Sequence, residues 1–129
     1  MKNVTKKHFR NLFIFYFIIL ALSLTLMIIS IGIGEFIFSI PWIMISVEML
    51  IFIGIHFGRY LKYKHNTNIL VGTITNVISF KSYQIVINCE DKNYYAAYKF
   101  ISSHIRDKVG CKCTFVENGK GKAYIKDIE

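Results

Sequence analysis

The stretch "LFIFYFIILALSLTLMIISIGI", Leu12 to Ile33, contains no charged residue. A helix needs roughly 20 residues to cross about 30 Å of hydrocarbon, so this run is long enough to span a membrane. A second apolar run extends from about Phe36 to Phe57. The sequence therefore predicts a hairpin of two transmembrane helices over residues 12–58.

The composition agrees with a membrane protein: 53% of the 129 residues are hydrophobic, and the mean hydropathy is +0.41. Two other interpretations of the apolar runs are disfavoured. A secretory signal peptide has an apolar stretch of about 7–15 residues and a small-residue cleavage site, and neither feature fits here. Buried helices of a soluble protein would need more covering chain than the C-terminal tail supplies.

The charges that flank the two runs predict the orientation. Basic residues lie before the first run and after the second, whereas the connection "GEFIFSIPW", Gly34 to Trp42, has no Lys or Arg. The positive-inside rule then places both termini in the cytoplasm and makes the chain a multi-pass protein of the inner (cytoplasmic) cell membrane. The net charge of +8 is accordingly attributed mainly to topology and to contact with anionic membrane lipids. The residues expected to make the lipid contact are Lys6, Lys7, Arg10, Arg59, Lys62 and Lys64.

The flanking segments divide the rest of the chain. Residues 1–11 are expected to be a basic cytoplasmic N-terminus, and residues 59–68 a basic juxtamembrane linker. Residues 69–129 alternate β-branched or aromatic residues with polar ones, which predicts strands. The predicted strands are Ile69–Ser79, Tyr83–Glu90, Asn93–Phe100, Cys111–Glu117 and Lys122–Ile128, with the "ENGKGK" hairpin before the last.

A short helix is predicted between the third and fourth strands, with Ser102 or Ser103 as N-cap and Gly110 after its end. The order β-β-β-α-β-β is that of an OB-fold, a small, partly open, five-stranded barrel. An SH3-like barrel is the structural alternative. Gly72 is expected to mark a bend or bulge in the first strand. The residues expected to point inward are Val71, Ile74, Val77, Val86, Ala96, Val116 and Ile125.

Membrane helices followed by a small cytoplasmic barrel resemble the NfeD-like family of bacterial membrane proteins. "LVGTI" (Leu70 to Ile74), "DKVGCKCTFVENGKGKAYIKDI" (Asp107 to Ile128) and the preceding hydrophobic hairpin carry the resemblance. The turn "SFKS" (Ser79 to Ser82) departs from the Pro/Gly-rich turn usual in such barrels. The resemblance implies a C-terminal OB-fold and a scaffold or accessory role beside other membrane proteins, often of the stomatin/flotillin type, without catalysis.

Three residues of the second apolar run are candidates for helix association or ion handling. Glu48 is costly in hydrocarbon, so it is expected to pair, to face an interior or to reach the interface. Counted from Pro41 it lies only about 10 Å along the helix, which favours reaching the outer interface. Gly54 and Gly58 form a G-x-x-x-G that permits close helix packing. The alternative function is an oligomeric transporter or channel subunit that uses Glu48.

One set of tail residues is a candidate binding face. OB-folds bind single-stranded nucleic acid with aromatic and basic residues on the second and third strands. A membrane-tethered nucleic-acid-binding domain is therefore the third functional hypothesis. The favoured interpretation of these residues is that they are core residues and ordinary strand formers. The residues concerned are Tyr83, Tyr94, Tyr95, Tyr98, Lys92 and Lys99.

No catalytic motif is visible. Cys89, Cys111 and Cys113 lack the paired spacing of a structural zinc site, so neither a metal nor a cofactor is expected. The favoured function is therefore a non-enzymatic scaffold or accessory subunit whose partner is another membrane protein or a second copy of the chain.

Overall fold

The computed structural model describes all 129 residues, Met1–Glu129. Two long helices precede five strands, and a short 3₁₀ helix, Ser103–Lys108, follows the third strand. The elements are α1 (Val4–Gly32), α2 (Phe36–His65), β1 (Ile69–Ser79), β2 (Tyr83–Cys89), β3 (Lys92–Tyr98), β4 (Lys112–Glu117) and β5 (Ala123–Ile128). The chain forms two compact units: a helical unit, Asn11–Arg59, and a half-barrel unit, Met1–Arg10 with Tyr60–Glu129.

Both helices are long and apolar enough to cross a membrane, by length and composition. They contain 29 and 30 residues and extend further into the basic flanks than the apolar runs alone indicate. Most of the segment expected as a linker, 59–68, is therefore helical up to His65. At the other end, α2 begins at Phe36, so Pro41 lies inside the helix, where its nitrogen has no N–H to donate to the Ile37 carbonyl.

Serines hold the helical unit together. Ser23 of α1 and Ser46 of α2 are buried, and their hydroxyl oxygens lie 2.9 Å apart. Ser30 and Ser39, each seven residues away on its own helix, are buried as well. Small residues let helix backbones approach, and each hydroxyl also bonds to a carbonyl of its own helix. Seven-residue spacing on both helices is the repeat that keeps one seam in contact.

The strands form one curled, half-barrel sheet in the order β3-β2-β1-β4-β5, and all hydrogen-bonded neighbours are antiparallel. The two ends of this order approach each other through a single parallel bridge, Tyr95 to Lys122. The predicted strands are confirmed within two residues at each end. The 3₁₀ helix is capped by Ser102, as expected, and Gly110 follows it with φ +90°.

Gly72 has a different role from the one expected. The bulge in β1 lies between Ile74 and Asn76, not at Gly72. A Cβ at Gly72 would lie 2.7 Å from Ile87 Cγ2 and 2.8 Å from the backbone oxygen of Asn88. Glycine is therefore required here because β2 approaches β1 too closely for any side chain.

The interior of the half-barrel is apolar and fully packed. Of the residues expected to point inward, Ile74, Ala96 and Ile125 are buried in the core, and Val77 is partly buried against it. Val71 is 59% exposed, Val86 alternates with the buried Ile85 and Ile87, and Val116 lies outside the core cluster, so the inward positions expected for these three valines are wrong. Gly72 and Ile74 occupy the inner face of β1 instead, which puts Val71 on the outer face.

The first turns of α1 complete the half-barrel. Thr5 is fully buried, and its hydroxyl donates to the Ile125 carbonyl at 2.6 Å. The Tyr98 hydroxyl lies 2.6 Å from the Thr5 oxygen and accepts from the Ile125 N–H at 2.7 Å. Since the single Thr5 proton is engaged, Tyr98 donates to Thr5, and the three groups close a ring of hydrogen bonds between β3, β5 and α1. Met1 and Ile128 also exchange backbone hydrogen bonds at 2.8 and 2.7 Å.

This packing changes the expected division of the chain. Residues 1–11 were expected to be a separate basic terminus, but Met1–Arg10 belongs to the half-barrel unit. The basic side chains of Lys6, Lys7 and Arg10 remain exposed on it. One side of the segment therefore fills the seam between β3 and β5, while the other side carries charge.

Candidate functional site

The outer face of β1, β2 and β3 is open to solvent. Antiparallel pairing places Ile78, Gln84 and Ala97 in one row, and Asn76, Val86 and Tyr95 in the next. Ile78 and Tyr95 are 46% and 45% exposed. We call this surface, together with Phe80, the outer docking face.

Phe80 stands at the end of the outer docking face, in the turn between β1 and β2. Its side chain is 87% exposed, although a phenylalanine gains most by burial. The turn lies at the opposite end of β1 from Ile69, where the chain arrives from α2. Phe80 therefore follows the end of β1 opposite to Ile69.

The outer face of β4 and β5, by contrast, is covered by helix ends. Val116 pairs opposite Tyr124 on this face and is fully buried. The Tyr124 ring lies 5.8 Å from the rings of both Phe9 and Tyr63, and Phe9 lies 5.6 Å from Tyr60. Aromatic residues from the start of α1 and the end of α2 thus shield one half of the sheet and leave the other half bare.

The tyrosines expected as a binding set are separated by the sheet. Tyr94 and Tyr98 are 8% and 1% exposed and belong to the core, which removes them from any exposed face. Burial also raises the pKa of the Tyr98 hydroxyl far above its usual range. Tyr83 is half-buried on the same inner side, with the Arg106 guanidinium 5.8 Å from its ring centroid. Only Tyr95 faces outward.

The alternation of β3 contained the signal for this outcome. Ala96 was expected to point inward, and Tyr94 and Tyr98 lie two residues to either side of it, on the same face of the strand. Lys92 and Lys99 are exposed at the two ends of β3. With one outward tyrosine instead of four, the surface lacks the row of aromatic platforms that single-stranded nucleic acid requires.

The helix candidates do not contact α1. Glu48, Gly54 and Gly58 are all exposed, and no atom lies within 4 Å of a Cβ built at either glycine. The contact between α1 and α2 is made by other residues, among them Tyr16, whose hydroxyl lies 3.1 Å from His56 Nε2 with the two rings stacked. Any association through Glu48 or the glycines is consequently with another molecule.

The basic residues expected at the lipid surface are available for that contact. Lys6, Lys7 and Arg10 are exposed on α1, and Arg59, Lys62 and Lys64 are exposed towards the end of α2.

Cys113 is a poor candidate for a reactive site. Burial raises the pKa of the Cys113 thiol to about 12, and the neighbouring Cys89 adds to the rise. A thiol held in its neutral form is a poor nucleophile and a poor metal ligand. No three His, Cys, Asp or Glu side chains come together in an arrangement that could hold a metal ion.

Comparison of the chain with protein-family models, with characterised proteins and with solved structures gives no significant match. The function is therefore argued from the geometry.

Proposed function

We propose that the chain is a non-enzymatic bacterial membrane protein that acts as a scaffold or accessory subunit through its half-barrel. The observation that carries this proposal is the asymmetry of the sheet. Aromatic residues of the chain cover the outer face of β4 and β5, while the outer docking face keeps Ile78, Phe80 and Tyr95 exposed. Exposed apolar groups of this kind typify surfaces that bind another protein.

The half-barrel is proposed to be an OB-fold. The helix between β3 and β4 and the parallel approach of β3 to β5 support an OB-fold over an SH3-like barrel. An OB-fold attached to a membrane hairpin is also the plan of the NfeD-like family, so membership of that family, with its scaffold role, is part of the proposal.

Both helices are proposed to span the inner membrane, with the two termini in the cytoplasm. Met1–Arg10 belongs to the same compact unit as Tyr60–Glu129, which supports a hairpin whose two ends lie on one side of the membrane. The exposed basic residues at these ends favour the cytoplasmic side and contact with anionic headgroups.

Thiol labelling in intact cells tests this orientation. In a background without the three native cysteines, Phe38→Cys should react with a membrane-impermeant reagent because it lies in the first turn of α2, next to the connection proposed to be external. Asn118→Cys should react only after the cells are opened. Labelling of Asn118→Cys alone in intact cells would contradict the proposed orientation.

Affinity purification of the full chain from gently solubilised membranes tests the outer docking face. The double variant Phe80→Ser, Tyr95→Ser should recover at least about tenfold less co-purifying partner than the wild type, since aromatic anchors carry most of the energy of an interface. The matched control is Val109→Ser, which removes a comparably exposed apolar side chain at the end of the 3₁₀ helix, outside this face. Equal partner recovery by the wild type and the double variant would refute the proposed site.

A further inference from the structure

Glu48 lies in the middle of its helix. It is the one Asp, Glu, Lys or Arg between Glu35 and Arg59. Because α2 begins at Phe36, Glu48 lies about 18 Å from the start of the helix and about 16 Å before Arg59, at 1.5 Å per residue. A hydrocarbon core of about 30 Å then places the carboxyl group near its centre, too deep for a short side chain to reach either interface.

Glu48 also points away from its own hairpin. Ser46, whose hydroxyl oxygen lies 2.9 Å from that of Ser23 on α1, precedes it by two residues and therefore faces about 160° away around the helix. Glu48 is exposed, and no side chain of the chain bonds to its carboxyl group. Its neighbours on the same face are exposed and apolar, among them Met44, Ile51 and Ile55. A carboxyl group in this position requires a partner from another molecule, because lipid tails offer no hydrogen bond.

We propose that this face of α2 is a self-association interface, in which the Glu48 carboxyl groups of two copies meet and share a hydrogen bond. The inference rests on the proposal that both helices span the membrane. All copies insert with the same orientation, so every Glu48 lies at the same depth. A two-fold axis perpendicular to the membrane brings a residue of one copy against the same residue of the other. One carboxyl group donates its O–H and the other accepts.

The surroundings of Glu48 favour a dry interface over an ion path. A path for ions or protons requires further polar groups along the same face, and this face offers methionine, isoleucine and phenylalanine. These side chains pack closely against a second helix and exclude water from the carboxyl pair. The self-associated hairpin would present two half-barrels from one assembly.

The test is the mass of the full chain in mild detergent, measured by sedimentation equilibrium. The wild type should be a dimer. Glu48→Gln, which keeps a donor and an acceptor, should dimerise within about threefold of the wild type, and Glu48→Leu should weaken dimerisation at least about tenfold. The matched control is Glu35→Leu in the turn between the helices, which should dimerise like the wild type.

Three outcomes would overturn the inference: a monomeric wild type, a Glu48→Leu variant that dimerises normally, or a Glu48-dependent proton flux in vesicles. Alkaline washing of membranes distinguishes a failure of the Glu48 interface from a failure of the proposal that both helices span the membrane. A chain released by the wash would refute the spanning helices, whereas a retained but monomeric chain would refute the Glu48 interface alone.

Discussion

Replacing Gly72 by alanine should unfold the half-barrel or cost it about 3 kcal/mol or more, at the upper end of the usual cost of overpacking. The added Cβ would lie 2.7 Å from Ile87 Cγ2, 2.8 Å from the Asn88 backbone oxygen and 3.0 Å from Phe115 Cε1. A backbone oxygen in a paired strand cannot rotate away as the end of a flexible side chain can. Relief therefore requires β1 and β2 to separate, and the whole inner packing depends on their pairing.

Hydrogen exchange of the full chain in detergent measures this effect. Amides of β1, β2 and β4 should lose protection in Gly72→Ala, while amides of the helical unit keep theirs. Gly54→Ala is the control, because nothing lies within 4 Å of its added Cβ. Unchanged protection of the strands in Gly72→Ala would contradict the claim that β2 leaves no room for a side chain at Gly72.

Breaking the hydrogen-bond ring of Thr5, Tyr98 and Ile125 should also destabilise the half-barrel strongly. Tyr98→Phe leaves the buried Ile125 N–H without its acceptor, which costs about 1–3 kcal/mol. Thr5→Val keeps the shape of the side chain and removes its hydroxyl, with a cost of similar size. The double variant should cost less than the sum of the two single variants, since both changes break the same ring.

The readout is again exchange of the β3 and β5 amides, with Tyr95→Phe as the control because its side chain is exposed and its hydroxyl makes no such bond. Strictly additive costs would indicate that Thr5 and Tyr98 act independently and that α1 does not close the seam.

The seam also revises an expectation about the isolated tail. Residues from about Asn66 to Glu129 contain every strand, which predicts a fragment that folds on its own, though marginally. That fragment lacks Thr5 and Phe9, so the buried hydroxyl of Tyr98 and the face around Val116 would both be opened to water. Stability of the half-barrel therefore depends on Thr5, which lies 93 positions from Tyr98 in the chain.

Local patterns in the sequence determined most of the elements. Long apolar runs define the two helices, because a helix of apolar residues satisfies its own backbone groups in lipid. Alternation of β-branched and polar residues defines the five strands, and Ser102 and Gly110 bound the short helix between β3 and β4. Each of these signals acts between residues close together in the chain, so each is visible without the fold.

Only the tertiary structure decided which surfaces are free. Thr5 sits between lysines in a basic segment, and nothing local marks it as a buried partner of Tyr98 and Ile125. The close approach of β2, which excludes a side chain at Gly72, arises from strand pairing across the sheet. The start of α1 and the end of α2 cover one outer face, which leaves Phe80 and Tyr95 exposed on the other. Burial of this kind depends on residues distant in sequence, so the alternation of side chains along a single strand does not predict it.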